Sequence, residues 1–435
     1  MIRKHLPAIH VAHHKNTMNL PVEAMPIPAK VCIAMVQHIG APCKPVVKVG
    51  DSVKVGQVIG DSEAFVSAPI HASVSGKVAK IERKMTLQGQ HDETITIIPD
   101  KLQEVYEGVQ PPVIESRADF LKAVRASGLV GLGGAAFPTH VKFNPKNIDE
   151  VDTLIVNGAE CEPYITVDYR RMLDEPQKVI NGCLAVMKWM DLKKCFIGVE
   201  SNKPKAIKAL EEAAKDYPEI EVITLQAKYP QGAERVLIYE TTGKVMGPGK
   251  LPADVGVVVS NVTSIATLQE YLETGMPLVA KNLTVDGNAV RTPKNLRVPI
   301  GTVISDVVDY CGGYRRIPKK LIMGGPMMGR AIYDDGHSIL KNNNAILVFD
   351  EKASEQPKAT DCIRCGRCVE ACPMNLMPTE LARAVDAKNV DALVKRRVGL
   401  CMECGSCSYV CPAKRQLSLI NRLGKAIVAE GGKKA

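Results

Sequence analysis

"CIRCGRCVEACPMNLMP" occupies residues 362–378, and "CMECGSCSYVCPAKRQ" follows at 401–416. Both set cysteines at the same intervals: Cys362, Cys365, Cys368 and Cys372 before Pro373, then Cys401, Cys404, Cys407 and Cys411 before Pro412. Three closely spaced thiolates wrap three irons of an iron–sulfur cube and leave the fourth to a more distant sulfur. Zinc needs only four ligands per site, usually as two pairs, so the third Cys-x-x-Cys step in each copy would go unexplained. Disulfides suit small secreted domains, and nothing here points to secretion. Pro373 and Pro412 stop the local helix and free Cys372 and Cys411 to turn elsewhere. Gly366 and Gly405 leave room for backbone to approach the sulfides.

The repeated C-x-x-C-x-x-C-x-x-x-C-P run resembles the two-cluster bacterial ferredoxins, in which the fourth ligand crosses between motifs. That resemblance implies two 4Fe–4S clusters. Cys362, Cys365, Cys368 and Cys411 would hold one; Cys401, Cys404, Cys407 and Cys372 would hold the other. Such clusters take one electron at a time, so the rest of the chain must fill them.

The 435 residues have room for three or four domains, and an apolar content of 46% supports ordinary globular cores. No apolar run approaches the ~18 residues of a membrane-spanning helix. The basic start, "MIRKHLPAIHVAHHKNTM", lacks an apolar core, so no signal peptide is expected. The six other cysteines, Cys32, Cys43, Cys161, Cys183, Cys195 and Cys311, are scattered, and most read as buried thiols in a reducing cytosol. A net charge of +9 raises the question of nucleic acid. Residues 353–435 carry 14 Lys and Arg against 8 Asp and Glu, without an aromatic-studded basic stripe. The excess suits compensation of anionic clusters and docking of acidic partners instead.

Outward from the cysteines, "PTELARAVDAKNVDALVKRR" predicts helix between the two motifs, and the polar "DEKASEQPKAT" (350–360) a linker. Four strand-like runs, "DTLIVNGA", "CFIGVE", "EVITLQA" and "GVVVSNV", alternate with helical patterns and predict an α/β domain with a largely parallel sheet. Short strands return between "PLVAKNLTVDGNAV" and "KKLIMGGPMMG" and suggest a β-grasp-like (SLBB) domain. "YEGVQPPVIE" (106–115) reads as a further linker, and residues 1 to about 30 as irregular. The segment from "PCKPVVKVGDSVKVGQVIGDSEAFVSAPIHASVSGKVAKIE" onward resembles the barrel-sandwich hybrid of biotinyl and lipoyl carriers. Its "DSEAFVSAPIH" has no lysine to carry a prosthetic arm, so a structural or docking role is expected. The expected fold class is therefore multidomain α/β. Its units are 1–105 (N-terminal segment and barrel-sandwich hybrid), 115–255 (α/β cofactor domain), 256–349 (β-grasp-like) and 358–435 (two-cluster ferredoxin).

"GLVGLGGAAFPTHVKF" (128–143) is not a Walker loop, because no Gly-Lys-Ser/Thr follows, and no clear strand leads into it. Such a turn lets backbone N–H groups approach a phosphate, or it simply packs as a tight turn. Together, "GLGGAAFPTHVK", "VNGAECEP", "YPQGAE" and "SNVTSIATL" resemble the NADH-oxidising flavin subunit of respiratory complex I over residues 128–270. The resemblance implies FMN contacts from Gly131, Gly133, Gly134, Lys142, Asn157, Glu160, Gly232, Glu234, Ser260 and Asn261. It also implies Glu162 beside the nicotinamide ribose as the catalytic residue, and Phe137 near the dinucleotide. Ala159 and Ala233 replace acidic residues usual in that family.

With the flanking units and "IHVAHHKNT" near the start, the whole chain resembles the C subunit of the Rnf complexes, membrane-bound ion-translocating ferredoxin:NAD⁺ oxidoreductases. That implies an oxidoreductase (translocase) subunit that moves electrons between NAD(H), FMN and two 4Fe–4S clusters. It further implies partners among the other proteins of the complex and ferredoxin, no transmembrane segment, and a peripheral position on the cytoplasmic face of the membrane. Two alternatives are a cobalamin reductase of bacterial microcompartments, which shares the flavin and ferredoxin parts, and a non-enzymatic electron relay.

Overall fold

A computed structural model describes residues 5–86 and 89–431. The four strand-like runs of the α/β region form one wholly parallel sheet. Its order is Ile220–Leu225, Lys194–Glu200, Thr153–Gly158, Val257–Asn261. Helices Pro176–Met190 and Val262–Thr274 pack together against it, burying Val179, Cys183, Val186, Ile265 and Leu268 with Leu154 and Val156. Proline opens the first helix, where its missing N–H costs nothing. Asn261 caps the second through Ser264 N–H. Chain order places the connections so that sequence runs outward in both directions from Thr153–Gly158. The carboxyl ends of that strand and of Val257–Asn261 therefore flank the switch point where such sheets bind ligands.

The barrel-sandwich unit consists of a four-stranded and a three-stranded antiparallel sheet around Val31, Ile33, Ile59, Ile70, Ile95 and Ile97. The β-grasp-like unit is a six-stranded mixed sheet with helix Ile304–Tyr310 packed on it. One edge of that sheet is Val22–Ala24, paired in parallel with Lys294–Pro299, so the N-terminal segment is not irregular throughout. Residues 106–115 lack regular structure, as a linker should. The polar stretch after 349 differs slightly, since Asp350 caps a short helix, Glu351–Ser354.

In the cysteine-rich unit the expected inter-motif helix is two helices, Pro378–Asp386 and Val390–Lys395, broken where Asn389 caps the second. They pack with Leu417–Glu430 around Leu381, Val385, Leu393 and Val428. The sequence repeat is also a backbone repeat. Left-handed residues recur 39 positions apart at Arg364 and Glu403, Gly366 and Gly405, and Asn375 and Lys414. Each glycine starts a short helix, Arg367–Glu370 or Ser406–Tyr409, that presents the third cysteine of its motif.

Candidate cofactor pocket and cysteine clusters

A cavity of about 1170 Å³ opens at the switch point of the parallel sheet. It exceeds the ~300–1,000 Å³ usual for one small ligand, and all four units contribute to its wall. Of the residues expected at the cofactor, Gly131, Gly133, Gly134, Lys142, Asn157, Glu160, Glu162, Gly232, Glu234, Ser260 and Asn261 line it. Phe137 does not. Its carbonyl instead accepts the Gly131 N–H (2.9 Å) and closes the base of the glycine-rich loop. Of the two departures, Ala233 is on the wall, whereas Ala159 is wholly buried.

The loop is built to expose backbone donors. Leu132 N–H is held by Ser264 Oγ (2.9 Å) and Ala136 N–H by the Gly131 carbonyl (3.1 Å). The N–H groups of Gly133, Gly134 and Ala135 have no hydrogen-bond partner among the described residues. Gly134 has φ +124°, a conformation that side chains resist. Asn342 of the β-grasp-like unit donates to its carbonyl (2.7 Å). Lys142 stands nearby, its ammonium also without a hydrogen-bond partner among the described residues. Burial lowers its pKa, with Glu234 pulling the other way. Free amides plus an unpaired lysine form a donor set that fits a phosphate.

The opposite wall is already hydrogen-bonded. Asn157 donates to the Gly232 carbonyl (2.8 Å) and accepts from Ala159 N–H (3.1 Å). Asn261 donates to Asp168 (2.8 Å). Glu160, at φ +49°, turns its carboxylate onto the N–H groups of Asp168 (2.7 Å) and Tyr169 (3.2 Å) at a helix start. Burial raises its pKa to about 7, opposed by Lys15. Glu162 accepts from Met327 N–H (3.0 Å) and Met328 N–H (2.8 Å), and burial likewise pushes its pKa up to about 7. Lys15 lies within the "IHVAHHKNT" segment. It donates to the carbonyls of Glu160 (2.9 Å), Glu162 (2.9 Å) and Ile165 (2.5 Å), so it shapes the loop carrying both acids. No local pattern in the sequence signals this role, because the contact spans about 150 residues.

The cysteines fall into two sets. Cys368 feels the charges of Cys411, Cys362 and Cys365. Cys407 feels those of Cys401, Cys404 and Cys372, and burial together with these neighbours pushes its thiol up to about 12. The fourth cysteine of each motif thus sits with the other motif's first three. Cys372, Cys401, Cys404 and Cys407 also line one small cavity. No group of three His, Cys, Asp or Glu among the described residues could hold a single metal ion. Thiols lining a common space suit a polynuclear cluster. Leu376 N–H (3.4 Å) points at Cys372 Sγ and Asn421 Nδ2 (3.7 Å) at Cys401 Sγ, contacts that stabilise thiolate charge.

One set adjoins the pocket. The Tyr229 hydroxyl donates to the Cys404 carbonyl (2.7 Å), and Tyr229 itself lines the cavity together with Met402, Glu403 and Arg422. In the other set Cys362 and Cys365 are exposed, with Ile363 between them 68% exposed, while Cys368 and Cys411 are buried. Tyr229 lies within the "YPQGAE" motif, but only its distant partner reveals its role.

Four family models match in succession. They are the RnfC barrel sandwich hybrid domain (6–102), the Nuo51 FMN-binding domain (124–270), the SLBB domain (282–331) and the 4Fe-4S dicluster domain (361–414). The chain is 45% identical over 373 residues to the C subunit of the proton-translocating ferredoxin:NAD(+) oxidoreductase complex of Clostridium ljungdahlii, covering 85% of this chain and 81% of that one. It is 41% identical to the Na(+)-translocating counterpart of Acetobacterium woodii, covering 86% and 85%. It is 37% identical to the C subunit of the ion-translocating oxidoreductase complex of Rhodobacter capsulatus, covering 90% and 76%. An NAD+-reducing [NiFe]-hydrogenase structure shares the fold, with TM-score 0.52 and 18% identity over 72% of this chain and 63% of that chain.

Proposed function

The chain belongs to the C-subunit family of ion-translocating ferredoxin:NAD⁺ oxidoreductase complexes, and from that premise we propose how its residues carry electrons. It is an oxidoreductase subunit with an FMN-binding domain and a 4Fe-4S dicluster domain, acting with the other proteins of its complex. A bound flavin supplies the chemistry that links hydride, which carries two electrons, to clusters that take one. The chain's own work is binding, spacing and shielding.

The amides of Gly133, Gly134 and Ala135 would hold the flavin phosphate with Lys142, while Asn157, Ser260, Asn261 and Gly232 would fix the rest of the molecule. Glu160 and Lys15 keep that wall in shape, and Glu234 balances the charge of Lys142. Cys401, Cys404, Cys407 and Cys372 would hold the near cluster, and Cys362, Cys365, Cys368 and Cys411 the outer one. The observation that carries this order is the Tyr229–Cys404 hydrogen bond, which joins the pocket wall to one cysteine set alone. The exposed backbone around Ile363 then offers the exit toward an acidic partner such as ferredoxin or a neighbouring protein of the complex.

No helix among the described residues is long and apolar enough to cross a membrane. We place the protein peripherally on the cytoplasmic face, where NAD(H) is available, and propose four modules whose bounds differ from the expected ones. Val257–Asn261 and Val262–Thr274 fall to the α/β unit rather than to 256–349, because they complete its parallel sheet and core. Val22–Ala24 falls to the β-grasp-like sheet rather than to 1–105. None of the three relatives is a cobalamin reductase by name, and the intact phosphate cradle argues against a bare relay. The test is anaerobic purification followed by assay of flavin and iron: about one FMN and about eight iron per chain support the reading. A chain with iron but no affinity for FMN would reduce it to a relay.

A further inference from the structure

Both carboxylate oxygens of Glu162 are occupied by consecutive amides, Oε2 by Met327 N–H (3.0 Å) and Oε1 by Met328 N–H (2.8 Å). Those amides belong to the turn Gly324–Gly329, "GGPMMG", which joins strands Lys320–Met323 and Arg330–Ile332. The turn is closed on itself by Gly329 N–H on the Gly325 carbonyl (2.8 Å). It lies so close to the acid that a Cβ at Gly325 would sit 2.2 Å from Glu162 Oε2. Its other side meets the cysteine-rich unit. The Met327 carbonyl is 3.2 Å from where a Cβ on Gly405 would lie, and Met327 packs with Cys161, Cys404 and Val410 around Tyr229. The turn is therefore wedged between the pocket and the near cysteine set, alongside the Tyr229–Cys404 contact.

We propose that Glu162 is a positioning residue that clamps the Gly324–Gly329 turn across the gap between the cofactor pocket and Cys404. Each carboxylate oxygen accepts one amide and keeps a second lone pair, and Glu162 lines the cavity, so the clamp leaves room for a further donor from the pocket. The clamp fixes the width of the gap. Lys15 anchors the other end, because its ammonium grips the Glu162 carbonyl. This rests on the proposed electron route for its purpose, but the clamp itself is testable without it.

The experiment is hydrogen exchange on the full anaerobic chain, comparing wild type with Glu162→Ala, Glu162→Gln and Gly325→Ala. Loss of a charge-assisted hydrogen bond should speed exchange of the Met327 and Met328 amides roughly 10- to 100-fold in Glu162→Ala. Glu162→Gln has one carbonyl oxygen left and should protect one amide only. Gly325→Ala pushes the turn off an intact Glu162 and should release both, which guards against misfolding in Glu162→Ala. With NADH, Gly325→Ala, which leaves the acid itself in place, should lower the rate of cluster reduction, alter the EPR line shape of the cluster of Cys401, Cys404, Cys407 and Cys372, and leave KM within about threefold. Unchanged exchange in both alanine variants would overturn the clamp. So would released amides in Gly325→Ala with an unaltered rate and line shape, which would leave the turn no part in the gap. If the chain binds no flavin, the route falls, yet the exchange data still judge the clamp.

Discussion

Replacing Gly133 with valine tests the phosphate loop most sharply. A Cβ there would lie 3.2 Å from both Cβ and Nδ2 of Asn261 and 3.3 Å from its Cγ. Backbone strain plays no part, since the left-handed position is Gly134, not Gly133. Asn261 cannot retreat cheaply, because it caps its helix through Ser264 N–H (3.2 Å) and donates to Asp168 (2.8 Å), which Thr263 also holds. Losing the cap costs about 1 kcal/mol, and losing a hydrogen bond to a charged group about 1.5–3 kcal/mol. If that loss of roughly 2.5–4 kcal/mol falls on the binding-competent pocket, flavin affinity drops about 10²- to 10³-fold. The assay is flavin per chain after anaerobic purification, with dithionite reduction followed by EPR as the control for intact clusters. The expected result is an empty flavin site, clusters that dithionite still reduces, and no reduction by NADH. Full flavin content with a normal rate of NADH-driven cluster reduction would make the loop a structural turn and move the entry point elsewhere.

Cys372→Ser should damage chiefly the cluster of Cys401, Cys404 and Cys407, although Cys372 belongs to the first motif; EPR loss confined to the other cluster would refute the crossing. Tyr229→Phe removes a 2.7 Å hydrogen bond worth about 0.5–1.5 kcal/mol and should slow cluster reduction by NADH while leaving flavin content intact; an unchanged stopped-flow rate would contradict it. Lys341 is wholly buried, donates to the carbonyls of Pro69 (2.6 Å) and Gly128 (2.7 Å), and has its pKa lowered by burial to about 7. Above that pH the unfolded chain keeps a proton the folded one releases, so wild-type stability relative to Lys341→Met should climb by up to about 1.4 kcal/mol per pH unit toward the ordinary lysine pKa. Below pH 7 that gain should be gone, and a stability difference that stays flat between about pH 7 and 9 would refute it.

The repeated cysteine motif was legible because cluster chemistry would dictate its spacing locally, and the parallel sheet because helix and strand periods alternate along the chain. What escaped the sequence is long-range. Nothing in "VEA" at 22–24 signals a strand pairing with residues 295–297. Lys15, Tyr229 and Met327 do their work through partners roughly 145 to 175 residues away, in segments with no shared pattern. Lys341 looks like a surface lysine until the barrel-sandwich and α/β units close over it. Glu162 was readable as an acid near the pocket, but not as one that also accepts the Met327 and Met328 amides of a distant turn. Phe137 carried the right motif, yet it contributes a carbonyl to the loop rather than a ring to the cavity wall.

The most direct test of the route is rapid mixing of the anaerobic, flavin-loaded chain with NADH, freezing samples for EPR at successive times, with the Cys372→Ser variant identifying the two signals. The cluster of Cys401, Cys404, Cys407 and Cys372 should be reduced first, because Tyr229 joins its Cys404 to the pocket wall. Earlier reduction of the exposed cluster of Cys362, Cys365, Cys368 and Cys411, or no reduction of either by NADH, would contradict the account.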